Sequence, residues 1–150
     1  MKNLKEKLLK NEIVRVAGAH NGLTAKLVEE SGFDAIWASG FELSASHGLP
    51  DTNLLTSEHQ LNAVRSMNLV SSLPIIVDCD TGYGDVNNVI HTVKTFERAG
   101  AEGICIEDKT FPKKNRFMES THAQVPKKKI VGKNKAALEH KKDPKFKNIS

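Results

Sequence analysis

Two carboxylates, Asp78 and Asp80, close an apolar run in the segment IIVDCDTGYGDV, residues 75–86. Side chains on a strand alternate with a period of two, so the pair points to one side, toward whatever lies at the strand's carboxyl end. Such a pair can hold a divalent cation. The same DxD spacing also occurs in solvated surface turns, and spacing alone leaves both readings open. Neighbouring residues favour the cation: Gly82 and Gly84 permit close approach of backbone to a ligand, and Glu107, at the tip of the next apolar run, can add a third carboxylate. Ligation by oxygen alone suits Mg²⁺ or Mn²⁺ better than zinc. Cys79 and Cys105 lie within apolar runs and lack CxxC spacing, which reads as core packing rather than zinc ligation or a disulfide.

The elements that must position these groups alternate between strand and helix signals. VRVAGA (14–19) is an apolar run ending at His20, Asn21 and Gly22, followed by a helix whose Leu23, Leu27 and Val28 mark one face and which stops at Gly32. DAIWAS (34–39) is the second strand, and the polar stretch GFELSASHGLPDTN (40–53) follows it as a loop. A helix capped by Thr56 or Ser57 carries Leu61, Val64 and Met67 on one stripe and leads through Pro74 to the strand IIVD. Val86, Val89, Ile90 and Val93 define a third helix, ended by Gly100 before the strand GICIE (103–107). Repeated strand-then-helix units predict parallel strands covered by helices. Ser31–Ile36 and Ala99–Ile104 share the form small, Gly, apolar, acidic, small, Ile, and each hands a helix over to a buried strand. Equivalent units around a barrel would produce this echo, as would a doubly wound sheet. His20 and Asn21, Ser39 and Gly40, Asp78 and Asp80, and Glu107, Asp108 and Lys109 all fall at carboxyl ends of strands, the edge where parallel α/β folds place their sites.

The 150 residues, 39% apolar and 27% charged, suffice for one core, and two domains would be crowded. No apolar run nears the ~20 residues needed to cross a bilayer, and the Lys-rich amino terminus leads into no signal-peptide core, so a cytoplasmic address is expected. The net charge of +4 hides an asymmetry: residues 1–108 carry a balance of −6 and residues 109–150 one of +10. The lysines of that last quarter have Phe146 as their one aromatic companion after residue 126, which fits a solvated, loosely ordered segment better than a nucleic-acid-binding tail.

The segments AHNGLTAKLVEESGF (19–33), IWASGFELSASHGLPD (36–51), DCDTGYGDVNN (78–88) and CIEDKTFPKKN (105–115) together resemble the phosphoenolpyruvate mutase and phosphonopyruvate hydrolase branch of the isocitrate lyase superfamily. The resemblance spans about residues 13 to 115. It implies an α/β fold of the (β/α)₈ TIM-barrel type, a Mg²⁺ site and phosphonate or 2-oxo acid chemistry. The expected reaction is the interconversion of phosphoenolpyruvate and phosphonopyruvate, as in phosphonate biosynthesis. The resemblance also implies a small-molecule substrate and an oligomer of identical chains, and the composition adds the expectation of no membrane or nucleic-acid partner.

Carried over motif by motif, Asp78 would be the direct metal ligand, with Asp80 and Glu107 acting largely through water. Trp37, Ser39, Gly40 and Phe41 would meet substrate, with main-chain N–H groups and the Ser39 hydroxyl facing its oxyanions. Asp51 would lie beside the migrating phosphoryl group, and Lys113 and Asn115 would belong to a lid-like loop over residues 109–126. Taken singly, these residues also have plainer readings: Trp37 as barrel wall, Asp51 as a turn or cap, Lys113 as a solvated charge, and Asn115, His20 and His47 as loop residues. Asn115 in the sequence KKN leans toward a mutase, whereas the wording of GFELSAS and EDKTFPK is at least as close to the hydrolase. The lyases of the superfamily carry a lid cysteine, and residues 109–126 contain none.

A (β/α)₈ barrel takes ~250 residues, so this chain is expected to supply about four units and the approach to a fifth strand. The single partial domain then comprises residues 1–150, with residues 127–150 as a basic segment of poor match. An open half-sheet exposes apolar edges, which favours association. A half-barrel without catalysis is the alternative reading.

Overall fold

The structure, a computed structural model, describes residues 4–9, 13–111 and 124–149. Five strands, β1 (Val16–Ala19), β2 (Ala35–Ala38), β3 (Ile75–Asp78), β4 (Gly103–Cys105) and β5 (Lys147–Ile149), form one sheet in sequence order, and every neighbouring pair is parallel. The register runs Val16 to Ala35, Ile36 to Ile75, Ile76 to Gly103 and Gly103 to Lys147. Consecutive strands lying side by side with helical crossovers is the winding of a β/α barrel, here an open arc with β1 and β5 at its edges.

The helices are α1 (Leu4–Leu9), α2 (Gly22–Glu30), α3 (Gly40–Ser46), α4 (Ser57–Val70), α5 (Val86–Arg98) and α6 (Lys127–His140). Asn21 starts α2 with a capping box, its Oδ1 accepting from Thr24 N at 2.9 Å while Thr24 Oγ1 accepts from Asn21 N at 3.1 Å. Asp85 does the same for α5, accepting from Asn87 N at 2.8 Å. Alternation along the strands separates two faces: Ile36, Ile75, Val77 and Ile104 pack against Val64, Met67, Val89, Val93 and Phe96 of the helices, whereas Ala35 and Ile76 face Leu4, Val14 and Trp37. None of the described helices is long and apolar enough to cross a membrane.

The structure corrects the sequence reading in three places. The stretch after β2 is not all loop, because Ser39 caps the short helix α3 through its side chain. In α2 the buried residues are Ala25 and Val28, while Leu23 and Leu27 are exposed, since the small Ala25 lets the helix lie close to the sheet. Residues 127–149 are not a loosely ordered tail: they form α6 and β5, with Ala136, Ala137 and Phe146 in the core. Their lysines obscured the pattern because apolar positions in this helix are filled by alanines and by one buried lysine, Lys133.

Candidate active site

Asp78 ends β3 and is buried, as is Asp80 in the turn that follows. Asp78 Oδ1 accepts from Asp80 N at 3.1 Å, which ties the two carboxylate residues together. Gly40, at the start of α3, brings its backbone to them from the neighbouring strand: its N–H reaches toward Asp78 Oδ2 at 3.4 Å. A Cβ at Gly40 would lie 3.4 Å from Asp78 Oδ2 and 3.9 Å from Asp80 Oδ1, ordinary contact distances, so the backbone of Gly40 packs closely beside both carboxylates. Asp80 is further held by Asn53, whose Nδ2 donates to Asp80 Oδ2 at 2.9 Å from a left-handed backbone position (φ 62°). Sequence reading passed over Asn53; its signal was an Asn after a Pro-Asp turn, a residue type that tolerates positive φ.

A polar hollow of about 10 Å³, room for roughly one water, lies here and is lined by Gly40, Asp51, Asn53 and Asp80 together with Ser44 and Gln60. Thus Asp51, Gly40 and Asp80 come together. Ser39 is buried one residue away, with its Oγ accepting from Glu42 N at 3.2 Å, and the Gly40 N–H faces Asp78 rather than a free oxyanion position. Trp37 shares its sheet face with Ile76 and, by alternation along β3, with Asp78; it is packed against the cluster of Leu4, Ala35 and Ile76, and borders an open hollow of about 460 Å³ with Val16, Gly18 and Glu42. Phe41 is about half exposed on α3. Lys113 and Asn115 lie outside the described residues. The segment that contains them is closed at its base by a bridge between Lys109 and Gln124 and by Val125 N donating to Asp108 O at 2.8 Å.

Glu107 comes close through its backbone but not through its carboxylate. Its N–H donates to Asp80 O at 2.6 Å, whereas its side chain pairs with Lys109 Nζ at 2.8 Å and borders a separate hollow of about 450 Å³ with Cys105 and Lys127. The contact with Lys109 is an ion pair without hydrogen-bond alignment, and Glu107 Oε2 accepts no hydrogen bond. Among the described residues no three His, Cys, Asp or Glu side chains converge as a metal cage, so the expected three-carboxylate cluster is a pair with Glu107 turned aside. The two glycines of the turn also serve another purpose than the one expected. A Cβ on Gly82 would meet Val89 Cγ2 at 2.6 Å, and one on Gly84 would collide with the Asn88 side chain that accepts from Asp85 N. Both glycines seat the turn on α5, and Gly40 is the one whose backbone lies against the carboxylates.

The aspartates leave a mark on their neighbours. Burial, then the negative fields of Asp78 and Asp80, push the Cys79 thiol well above its ordinary range. Burial first, then Cys79 and the two aspartates, raise the Tyr83 phenol, and burial with Asp78 and Glu107 lifts Cys105 to about 11. A turn this negative, with two buried carboxylates as hard oxygen donors, fits a divalent cation of the Mg²⁺ type. His20, for which the sequence offered no partner, lies with its Nδ1 3.7 Å from Glu42 Oε2.

A parallel β/α arc with acidic residues at the carboxyl ends of its strands is the frame of a barrel enzyme. The model of the phosphoenolpyruvate phosphomutase family matches residues 4–148, and the chain belongs to that family. Over 116 residues it is 46% identical to a phosphonopyruvate hydrolase of Variovorax sp. (strain Pal2), covering 71% of this chain and 40% of the relative. The crystal structure of phosphoenolpyruvate phosphomutase from Streptomyces platensis subsp. rosaceus superposes with a TM-score of 0.93 at 43% identity, covering 97% of this chain and 50% of that one. A phosphonopyruvate hydrolase solved in complex with oxalate and Mg²⁺ gives a TM-score of 0.88 at 40% identity, covering 97% of this chain and 49% of that one. The relatives also include lyases of 2,3-dimethylmalate and of 2-methylisocitrate. The chain spans about half the length of the curated relatives it matches.

Proposed function

We propose that this chain carries the metal and 2-oxo acid half of a phosphoenolpyruvate phosphomutase-type site, one that interconverts phosphoenolpyruvate and phosphonopyruvate in a protein that completes the barrel. The observation that carries this reading is the pair of buried carboxylates, Asp78 and Asp80, at the carboxyl end of β3 with the Gly40 backbone beside them. Asp78 would hold Mg²⁺ directly, with Asp80 and Glu107 steadying its water shell, which for Glu107 requires release from Lys109. Bound there, the cation supplies Lewis-acid stabilisation to the carboxylate and enolate oxygens of a pyruvyl group. Asn53 fixes the Asp80 carboxylate, and Ser39 anchors the start of α3 so that Gly40 stays against Asp78.

Moving a phosphoryl group between an enol oxygen and a methylene carbon demands positioning and charge stabilisation more than acid or base strength. Asp51, which lines the hollow with Gly40 and Asp80, would border the migrating group, and Trp37 and Phe41 would line its surroundings. Lys113 and Asn115, in the lid-like segment, would close over it and exclude water, because water reaching the phosphoryl group converts transfer into hydrolysis. The 46% identity to a phosphonopyruvate hydrolase supports that hydrolysis as a second reading.

Phosphorus NMR of phosphonopyruvate with Mg²⁺ separates the two in the protein that completes the barrel. Phosphoenolpyruvate as product supports the mutase reading, inorganic phosphate with pyruvate supports the hydrolase, and an unchanged substrate overturns both. The 150-residue chain by itself is expected to show little or no turnover.

A further inference from the structure

We propose that Lys133 is a positioning residue for the turn that bears Asp78 and Asp80, which makes α6 of the basic carboxyl-terminal segment part of the site. The inference rests on the reading of that turn as metal-bearing. Between residues 80 and 84, Asp80 (φ 48°), Gly82 (φ 85°), Tyr83 (φ 58°) and Gly84 (φ 147°) all have positive φ. For Asp80 and Tyr83, which carry side chains, such a conformation is strained and persists only where surrounding contacts over-determine it.

The carbonyl groups of the turn show what those contacts are. Cys79 O accepts from Gly82 N at 2.8 Å and Asp80 O accepts from Glu107 N at 2.6 Å, both main-chain bonds. Thr81 O accepts from Lys133 Nζ at 2.6 Å, a side chain 52 positions away in sequence. Thr81 is itself buried, so without Lys133 its carbonyl would face the protein interior.

Lys133 is built into this place at a cost. Its neighbours Lys127, Lys128, Lys129 and Lys135 on the same helix are exposed, whereas Lys133 is 7% exposed on the face that also buries Ala136 and Ala137. Burying an ammonium opposes its charge, Lys129 adds to that opposition, and Asp85 relieves it. A lysine that only solubilised the helix would swing its flexible stem into water as the others do. Here the ammonium spans from α6 to the one non-left-handed residue of the turn and clamps it.

The test is amide hydrogen exchange of residues 79–84 in the full chain, run in parallel with Mn²⁺ titration. Lys133→Met is expected to speed exchange at these amides at least tenfold and to weaken Mn²⁺ binding tenfold or more. Lys133→Arg, which keeps charge and donor, recovers part of both. Ala137→Gly, on the same buried face, lowers overall stability without either local effect. Turn amides unchanged in Lys133→Met, or loosened equally in Ala137→Gly, overturn the proposal. If wild-type protein binds no Mn²⁺, the metal reading fails while the exchange comparison still decides the role of Lys133. Should Lys133→Met not fold, the wild-type ammonium answers directly: slowly exchanging Nζ protons with a coupling to the Thr81 carbonyl support the clamp, and rapid exchange sinks it.

Discussion

Replacing Gly82 by Ala tests how the DCDTGYG turn is seated. Two costs are expected to act together. At φ 85° a Cβ meets the steric penalty of left-handed backbone, about 1–2 kcal/mol. The new methyl also lies 2.6 Å from Val89 Cγ2 and 3.6 Å from Ile106 Cγ2, both side chains in the core, and overpacking of that kind costs about 1–3 kcal/mol. Gly32 provides the control, because at φ 75° it has nothing within 4 Å of its missing Cβ, so Gly32→Ala carries the backbone term alone. The loss of unfolded-state entropy on Gly→Ala is common to both and cancels in the comparison. Urea unfolding of the two variants is therefore expected to place Gly82→Ala about 1–3 kcal/mol below Gly32→Ala. Val89→Ala, which opens the space, should recover at least about 1 kcal/mol of that difference in a double-mutant cycle. Equal costs for the two glycine variants, or a cycle with no coupling, would refute the claim that Gly82 is there to seat the turn on α5.

Other outcomes follow from the same geometry. Asn53→Gly keeps the left-handed backbone but deletes the donor to Asp80, and should weaken Mn²⁺ binding by about tenfold with little change in stability, as measured by calorimetry beside urea unfolding. Cys105, raised to about 11, is protonated in the folded chain at pH values where an unfolded thiol ionises near 9, so it contributes stability below pH 9 that is lost as pH rises toward 11. Lys133 works in the opposite sense over that window, so the check is whether Cys105→Ala flattens the alkaline loss relative to wild type; an unchanged curve would contradict the assignment. With β1 and β5 as open edges and Ile13 and Leu69 largely exposed, the 150-residue chain is expected to sediment heavier than its 16.5 kDa, and a clean monomer would be the contrary result.

What the sequence made legible and what it hid divide along physical lines. The strands β2 and β3, the stripe of Leu61, Val64 and Met67, and the DxD pair were readable because burial enforces a period and because paired carboxylates closing an apolar run mark where a buried strand meets the site edge. Residues 127–149 were obscured by charge: the helix buries alanines and a lysine, so hydropathy gave no stripe to follow. The role of Gly82 was misjudged because a glycine's missing side chain has a direction that only the fold reveals. Glu107 was placed correctly along the chain, yet its ion pair with Lys109, two residues on, turns its carboxylate from the pair it was expected to join. Asn53 and Lys133, which hold Asp80 and Thr81 respectively, act across distances in sequence that no local pattern encodes.

The most direct test of the metal-bearing reading is calorimetric titration of the chain with oxalate, a mimic of the pyruvyl enolate, in the presence and absence of Mg²⁺. Binding that requires Mg²⁺ and disappears in Asp78→Asn, with folding retained, is the expected result. Oxalate binding that is indifferent to Mg²⁺ or to Asp78→Asn, or no binding at all by the folded chain, would contradict it.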